Sequence, residues 1–422
     1  MSASTPPTTH TKQQPEQDLV SRDFLLLFIL ATFSGCYISI YYCFEQWMER
    51  VLVTPGWRGI LLGALFGVVM MTRPFATILL LKANKLPPML LSLFVCSGVL
   101  FTYQFLPVDS PFFEWELLAI RVMQGFALAV FSSCTISLLV SCIPPGQSAR
   151  GYALFSLSFL IPYALIPTIG EFLLPIVGDE PALFAWTASL FIPSVLILYC
   201  MRHKLREPEI AVNLKEDFAG YRKKLLHNVR HSGLLLAFLA ICCFGLCTNT
   251  CIYFMKGLCT LTGGDPTQFF FYYTVTMMIV RLRFSRQLDG LPRYKVVPVV
   301  AVSMAAGLVI IVAGPLWAYV PGTILYGVSL SLLYPLQASV IYDRSTPETR
   351  TVNSNLMTSM FDIAALTSPL LGGAILSTGL SYRAVILMGA CTTVLSGILF
   401  TIDGIRQRRL AKKAGRQQST AR

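Results

Sequence analysis

Twelve stretches of about twenty apolar residues, separated by short gaps rich in charge, Pro or Gly, dominate this sequence. They run roughly over 24–43, 58–81, 86–106, 117–142, 150–175, 182–201, 233–256, 268–288, 295–314, 317–342, 353–378 and 382–403. At 1.5 Å of rise per residue, a helix of that length crosses a hydrocarbon core of ~30 Å. In hydrocarbon every backbone N–H and C=O must pair inside the protein, which leaves only helices or closed barrels. Barrel strands are short and alternate apolar with polar residues, and these runs do neither. The remaining composition agrees. Only 13% of the 422 residues are charged against 55% hydrophobic, too little charge to clothe a soluble surface. The chain is therefore an all-α membrane protein with twelve transmembrane helices. The eighth run is the weakest, because Arg281, Arg283 and Arg286 crowd its end.

Basic residues set the orientation. With both termini in the cytoplasm, the inner loops and tails collect Lys82, Lys85, Arg150, the central cluster from Arg202 to Arg230, the Arg281–Lys295 group, Arg344, Arg350 and the tail from Arg406 to Arg422. Outside remain only Arg50, Arg58, Lys256 and Arg383. This asymmetry predicts an integral multi-pass protein of the plasma (inner) membrane with cytoplasmic termini. The net charge of +12 is then a topology signal scattered beside the lipid, and a nucleic-acid partner is not expected. Residues 1–23 are polar and rich in Pro, Thr and Gln. They read as a disordered tail and not as a signal peptide.

Residues 202–232 are the longest connection, and they divide the chain into an amino-terminal bundle (24–201) and a carboxyl-terminal bundle (233–403), followed by a basic tail (404–422). The connection is either a solvated linker or an amphipathic helix on the inner leaflet. The halves repeat each other. Gly125 and Gly327, Pro145 and Pro347, Pro167 and Pro369, and Gly170 and Gly372 are each 202 positions apart, and Leu86-Pro87 and Leu291-Pro292 are 205 apart. A six-helix unit used twice implies a pseudo-two-fold axis along the membrane normal, with the path for a small-molecule substrate between the halves.

Several segments resemble the major facilitator superfamily of secondary transporters. "RVMQG" (Arg121, Gln124, Gly125) is similar to its fourth-span Arg-x-x-Gln-Gly motif, and "PPGQSARGYALFS" resembles the start of its fifth span. "IPTIGEF" resembles a degraded form of the fifth-span motif of proton-coupled antiporters, with Ile166 and Glu171 replacing glycines. "SPLLGG" keeps that pattern better in the eleventh span. The family's second-to-third loop motif, which latches the bundles at the cytoplasmic ends, is absent from "LLLKANKLPPM". The eighth-to-ninth loop retains Asp289, Gly290 and Arg293. The resemblance implies a secondary active transporter working by alternating access, with proton-coupled efflux favoured by the motifs. Proton-coupled uptake of an organic anion or zwitterion is the alternative, and a soft-metal transporter or a receptor without turnover are further ones. It also implies that the third, sixth, ninth and twelfth helices are peripheral.

Four ionisable residues lie well inside the spans: Arg73, Arg121, Glu171 and Asp362. All four are on the second, fourth, fifth and eleventh helices, so they are expected to face a wet cavity. Asp362 follows Asn355, Thr358 and Ser359 on one helix face and is the candidate proton carrier, either titrating or satisfied by an arginine such as Arg73. Glu171 either titrates, pairs with Arg121, or faces outside water. Arg121, with Gln124 one turn on, either biases a carboxylate in the cavity, holds an anionic group, snorkels toward water, or pairs with Glu114 or Glu116 at the mouth. Arg73 and Arg121 together would favour an anionic or zwitterionic substrate. Asn249 of the seventh run is a further cavity candidate.

Cys243, Cys247 and Cys251 share a face of the seventh run, and small-residue packing outweighs a soft-metal role. No histidine lies in a span. No Walker loop, metalloprotease motif or nucleophile elbow appears, so neither an enzyme nor a cofactor or resident metal is expected. Protons and membrane lipids are the remaining partners, and a monomer is expected.

Overall fold

A computed structural model describes residues 19–80, 84–206 and 233–420. The linker helix considered over 202–232 lies almost wholly outside these residues; only a short helix, Arg202–Arg206, is described.

Every regular element among the described residues is helical, and they form twelve spans. The first (Arg22–Arg50) contains a 3₁₀ turn at Ile40–Cys43. The second to fifth are Pro55–Leu80, Leu86–Thr102, Phe113–Cys142 and Ser148–Val177. The sixth breaks into Glu180–Ala188 and Phe191–Cys200. The carboxyl-terminal bundle has Leu235–Thr262, Pro266–Leu288, Arg293–Ala313, Tyr319–Arg344, Arg350–Ser377 and Tyr382–Thr420 as its seventh to twelfth spans. Eleven of the twelve are long and apolar enough to cross a membrane by composition; the eighth is the exception, where the arginine cluster dilutes the apolar run. The twelfth helix continues through most of the basic tail expected at 404–422.

Local chemistry sets several boundaries. Ser21 caps the first span by accepting from the Phe24 amide at 3.2 Å. Asp179 caps the sixth through Ala182 N and Asp265 the eighth through Thr267 N, each at 2.8 Å. Both acids are followed within two residues by a proline in the first helical turn, where a missing N–H is harmless.

Packing confirms the repeat and refines its register. A Cβ on Gly125 would stand 3.1 Å from Leu65 O and 2.8 Å from the Val68 Cβ. A Cβ on Gly327 would stand 3.0 Å from Tyr273 O and 3.2 Å from the Thr276 Cβ. The glycines are 202 apart and their contact atoms 208 apart. So the fourth span crosses the second as the tenth crosses the eighth, with Gly needed for the approach. In these two spans the equivalent residues are therefore 208 apart; the Leu-Pro pairs, 205 apart, lie beyond their ends.

Near the face that carries the chain termini, equivalent residues meet each other. The Tyr152 and Ser354 hydroxyls hydrogen-bond at 2.8 Å, and the Tyr342 hydroxyl donates to Val140 O at 3.3 Å. Each pair is 202 apart, so the pseudo-dyad passes between them. Each bundle has its own apolar core. The cores join on the terminus side, where Ile341, Tyr342 and Met357 pack with the amino-terminal bundle and Ala149 and Ala153 with the other.

Candidate functional site

Between the bundles lies a cavity of about 390 Å³. Its wall comes from the first, second, fourth, fifth, seventh, eighth, tenth and eleventh spans; among the described residues, the third, sixth, ninth and twelfth contribute none. Most of the lining is aromatic or aliphatic, including Phe131, Phe244, Phe269, Tyr273, Tyr326 and Phe361. Its charged groups are Arg73, Arg281 and Asp362.

Arg73 precedes Pro74 in the second span, and Asp362 sits near the middle of the eleventh. Arg73 Nε donates to Asp362 Oδ2 at 2.6 Å and Nη2 to Oδ1 at 3.2 Å. This forked pair ties one bundle to the other. The two side chains are 5% and 10% exposed, so solvent screens the pair little. Arg73 Nη1 is buried and, among the described residues, has no hydrogen-bond partner.

Arg281 is also buried, at 3% exposure. Its Nη1 donates to Ser156 Oγ at 2.8 Å across the bundles, its Nε to Ser331 O at 3.3 Å and its Nη2 to Leu330 O at 3.4 Å. These acceptors are neutral, and among the described residues no carboxylate pairs with it. Tyr334 stands within electrostatic reach of both Arg73 and Arg281 and packs edge-on against Phe361 at 5.4 Å.

Of the residues expected from sequence, Arg73, Asp362 and Thr358 line the cavity. Asn355, Ser359 and Asn249 share its helices, but their side chains bond to helix carbonyls: Asn355 Nδ2 to Thr351 O, Ser359 Oγ to Asn355 O, and Asn249 Nδ2 to Gly245 O. Asn355 Nδ2 also reaches Ser133 O of the other bundle at 3.5 Å.

Arg121 and Gln124 are buried inside the amino-terminal bundle and do not line the cavity. Arg121 donates to Leu61 O at 3.2 Å and to Gln124 Oε1 at 3.1 Å, not to Glu114 or Glu116. Its guanidinium lies 4.3 Å from the Tyr41 ring centroid and 4.7 Å from that of Phe44. Ring faces, the Leu61 carbonyl and the Gln124 amide oxygen thus accommodate the cation away from the cavity. Glu171 is exposed beside Tyr42 on the fifth span and, among the described residues, forms no ion pair with Arg121. The cysteines are all unbridged. Cys251 lines the cavity, while Cys247 is buried beside it.

Sequence reasoning missed Arg281 by grouping it with Arg283 and Arg286 as loop charge. Those two are exposed; Arg281 alone turns inward. The signal was present: Arg73 stands 12 residues before Lys85 and Arg281 12 before Arg293, the same 208 offset that the glycine packing gives.

A seal closes the terminus side. Asp289 Oδ1 accepts from Ala149 N at 2.8 Å and Arg150 N at 3.3 Å, so a loop of the carboxyl-terminal bundle caps the first turn of the fifth span. Arg293 bridges Asp343 and reaches Ser148 Oγ at 3.4 Å. Burial between the bundles holds the Asp289 carboxyl above its ordinary pKa, against the opposing pull of the two amides and Arg293. With the Tyr152–Ser354 and Tyr342–Val140 contacts, these bonds all lie on the terminus side. The cavity wall extends the other way, along the eighth span to Phe269 and Phe270. These bonds close the bundles against each other at one face.

The sequence profile described as Major Facilitator Superfamily matches residues 98–286 and 269–421. Among solved structures, the human organic anion transporter MFSD10 (TETRAN) is 16% identical, covers 92% of this chain and 100% of its own, and superposes with a TM-score of 0.70. The E. coli fucose:proton symporter FucP is 13% identical over 92% of this chain and 99% of its own, at 0.71. The proton:xylose symporter XylE is 11% identical over 89% and 94%, at 0.67. At these identities the likeness is one of fold. No curated protein sequence matches this chain.

Proposed function

The chain belongs to the Major Facilitator Superfamily, and on that premise we propose that it is a proton-coupled secondary transporter whose proton is carried by Asp362. It is a transporter of a small molecule and not an enzyme. The observation that carries the proposal is the Arg73–Asp362 fork, the ion pair that spans the two bundles in the cavity wall. Protonation of Asp362 removes the charge that holds Arg73. The second and eleventh spans then lose their strongest polar link, and the bundles are free to rock about the cavity. On the other face the proton leaves and the fork re-forms. A low dielectric sharpens this switch, because the pair is strong when ionised and weak when neutral.

Two observations bear on direction. The fourth-, fifth- and eleventh-span motifs resemble those of exporters. The charges on the wall favour the opposite coupling: two arginines against one carboxylate repel a cationic solute that would compete with the proton. Neutralising Asp362 instead frees Arg73 to attract an anion, so proton and solute travel together. We place proton-coupled uptake of an organic anion or zwitterion ahead of efflux, because this electrostatic term acts on the solute directly. Proton symporters of fucose and xylose share this fold, as does an organic anion transporter. The basic-residue asymmetry supports cytoplasmic termini, with the described state facing outward.

The test starts from a thermal-shift screen of the purified chain for a stabilising solute. The solute is then offered to proteoliposomes loaded with a pH-sensitive dye. Solute entry with lumenal acidification in the natural protein, and entry without it in Asp362→Asn, is the expected result. Alkalinisation on solute entry would establish exchange instead. Unchanged proton movement in Asp362→Asn would remove that residue from its role.

A further inference from the structure

The two arginines of the cavity are copies of one position in the repeat. Arg73 and Arg281 are 208 apart, the offset fixed by the Gly125 and Gly327 contacts. In the fifth and eleventh spans the offset is 202, fixed by the Tyr152–Ser354 pair. Under the pseudo-dyad, Ser156 therefore mirrors Thr358, and the residue that mirrors Asp362 is Leu160. Both Ser156 and Leu160 line the cavity, one turn apart on the same face of the fifth span, and Ser156 already touches Arg281. The chain thus keeps both arginines and only one of the two carboxylates that would neutralise them.

We propose that the missing carboxylate is supplied by the substrate: Arg281 is the anchor for an anionic group of the transported molecule, seated where the side chain of an acid at position 160 would reach. A buried guanidinium with only neutral acceptors is held at a desolvation cost that an arriving anion relieves. Arg281 presents the planar fork that matches a carboxylate. Two further features belong to the same cavity. Arg73 lines it, and its buried Nη1 has no acceptor among the described residues. The Tyr334 ring lies within electrostatic reach of both guanidiniums. Around these groups the wall is aromatic, with Phe159, Phe244, Phe270 and Tyr273. The substrate class that fits is a monoanion, a carboxylate in the simplest case, carrying an apolar or aromatic body. This inference rests on the reading of the cavity as the transport site, and it does not require Asp362 to carry the proton.

The experiment uses the full chain in detergent, at fixed neutral pH, with benzoate as probe and benzamide as its uncharged isostere, each followed by the concentration-dependent rise of the unfolding midpoint. The expected result is stabilisation by benzoate and not by benzamide, with the apparent affinity for benzoate at least tenfold weaker in Arg281→Gln, as befits loss of a charge-assisted fork. Leu160→Asp is the decisive variant. It restores the mirrored ion pair, so the protein should stay folded, with an unfolding midpoint at or above that of the natural chain, and lose its response to benzoate. Equal stabilisation by benzoate and benzamide, no stabilisation by benzoate, or an undiminished benzoate response in Leu160→Asp would each overturn the proposal. Asp362→Asn separates this inference from the coupling proposal. Benzoate binding should be retained or tightened in that variant, because Arg73 is released, and still be lost on adding Arg281→Gln; if proton movement persists in Asp362→Asn, the role of Asp362 fails while the Arg281 anchor stands.

Discussion

Removing either partner of the Arg73–Asp362 fork should be severe, and removing both should be mild. The geometry sets the scale. At about 3 Å separation and an effective dielectric of ~20, the attraction between the two charges is about 5 kcal/mol, offset by several kcal/mol of desolvation for each ion. Asp362→Leu leaves Arg73 buried without a charge partner, and Arg73→Met leaves Asp362 likewise; each is expected to destabilise the protein by about 3–5 kcal/mol. The double variant Arg73→Met/Asp362→Leu leaves neither charge and fills the space with apolar side chains, so its stability should return to within about 1–2 kcal/mol of the natural protein. The coupling across the cycle is then at least ~4 kcal/mol, large for residues 289 positions apart on different bundles. The assay is reversible unfolding in mixed micelles across all four proteins, with proton-coupled flux measured in parallel. The double variant should fold and be inert to a pH gradient. If the two single effects simply add in the double variant, the bundles are not joined by this pair and the switch built on it fails.

Two other predictions concern the seal and the repeat. Asp289→Ala removes an acceptor from the Ala149 and Arg150 amides, and their hydrogen exchange should quicken roughly fivefold, the ~1 kcal/mol of a lost helix cap. Because burial raises the Asp289 pKa in the sealed state, that state holds the proton more tightly than the separated one. The contribution to the seal is fully present below the ordinary carboxylate pKa of ~3.9 and is lost as pH rises through the raised value; Asp289→Asn should abolish this dependence of exchange. Gly125→Ala and Gly327→Ala each place a Cβ against a neighbouring helix, the tightest contact being 2.8 Å for Gly125 and 2.9 Å for Gly327. Both should lower the unfolding midpoint by similar amounts, ~1–3 kcal/mol of overpacking, and markedly unequal losses would contradict the register of the repeat.

The helices were legible because the bilayer imposes one requirement on every segment alike: about twenty apolar residues with an internally satisfied backbone. The eighth span marks the limit of that signal. It reads weakly because Arg281, Arg283 and Arg286 sit together in sequence, yet only Arg281 turns into the protein. Helical periodicity places a residue on a face but does not say which neighbour that face meets. Arg121 shows this: its partners Tyr41 and Phe44 come from the first span and Leu61 from the second, so the box that holds it exists only after packing. Asp289 and Arg293 were readable as a latch from the loop motif, but their contact with the amides of Ala149 and Arg150 was not, because a backbone acceptor site leaves no side-chain signature.

The chemistry of the cavity lies where the repeat fails. Duplication of a six-helix unit predicts like residues at like positions, and the structure honours this in the glycines at the helix crossings, in the tyrosine contacts on the dyad and in the paired arginines. Symmetric positions build the scaffold, since both halves must solve the same packing problem. A solute that is not itself two-fold symmetric needs a site that is not either. Asp362 opposite Leu160 is such a break: Arg73 meets a carboxylate, whereas Arg281 meets the Ser156 hydroxyl and two backbone carbonyls. A single sequence displays the break only once the halves are aligned in their separate registers, 208 for the second and eighth spans and 202 for the fifth and eleventh. Those two offsets come from tertiary contacts, and for that reason the break became visible in the fold and not in the chain.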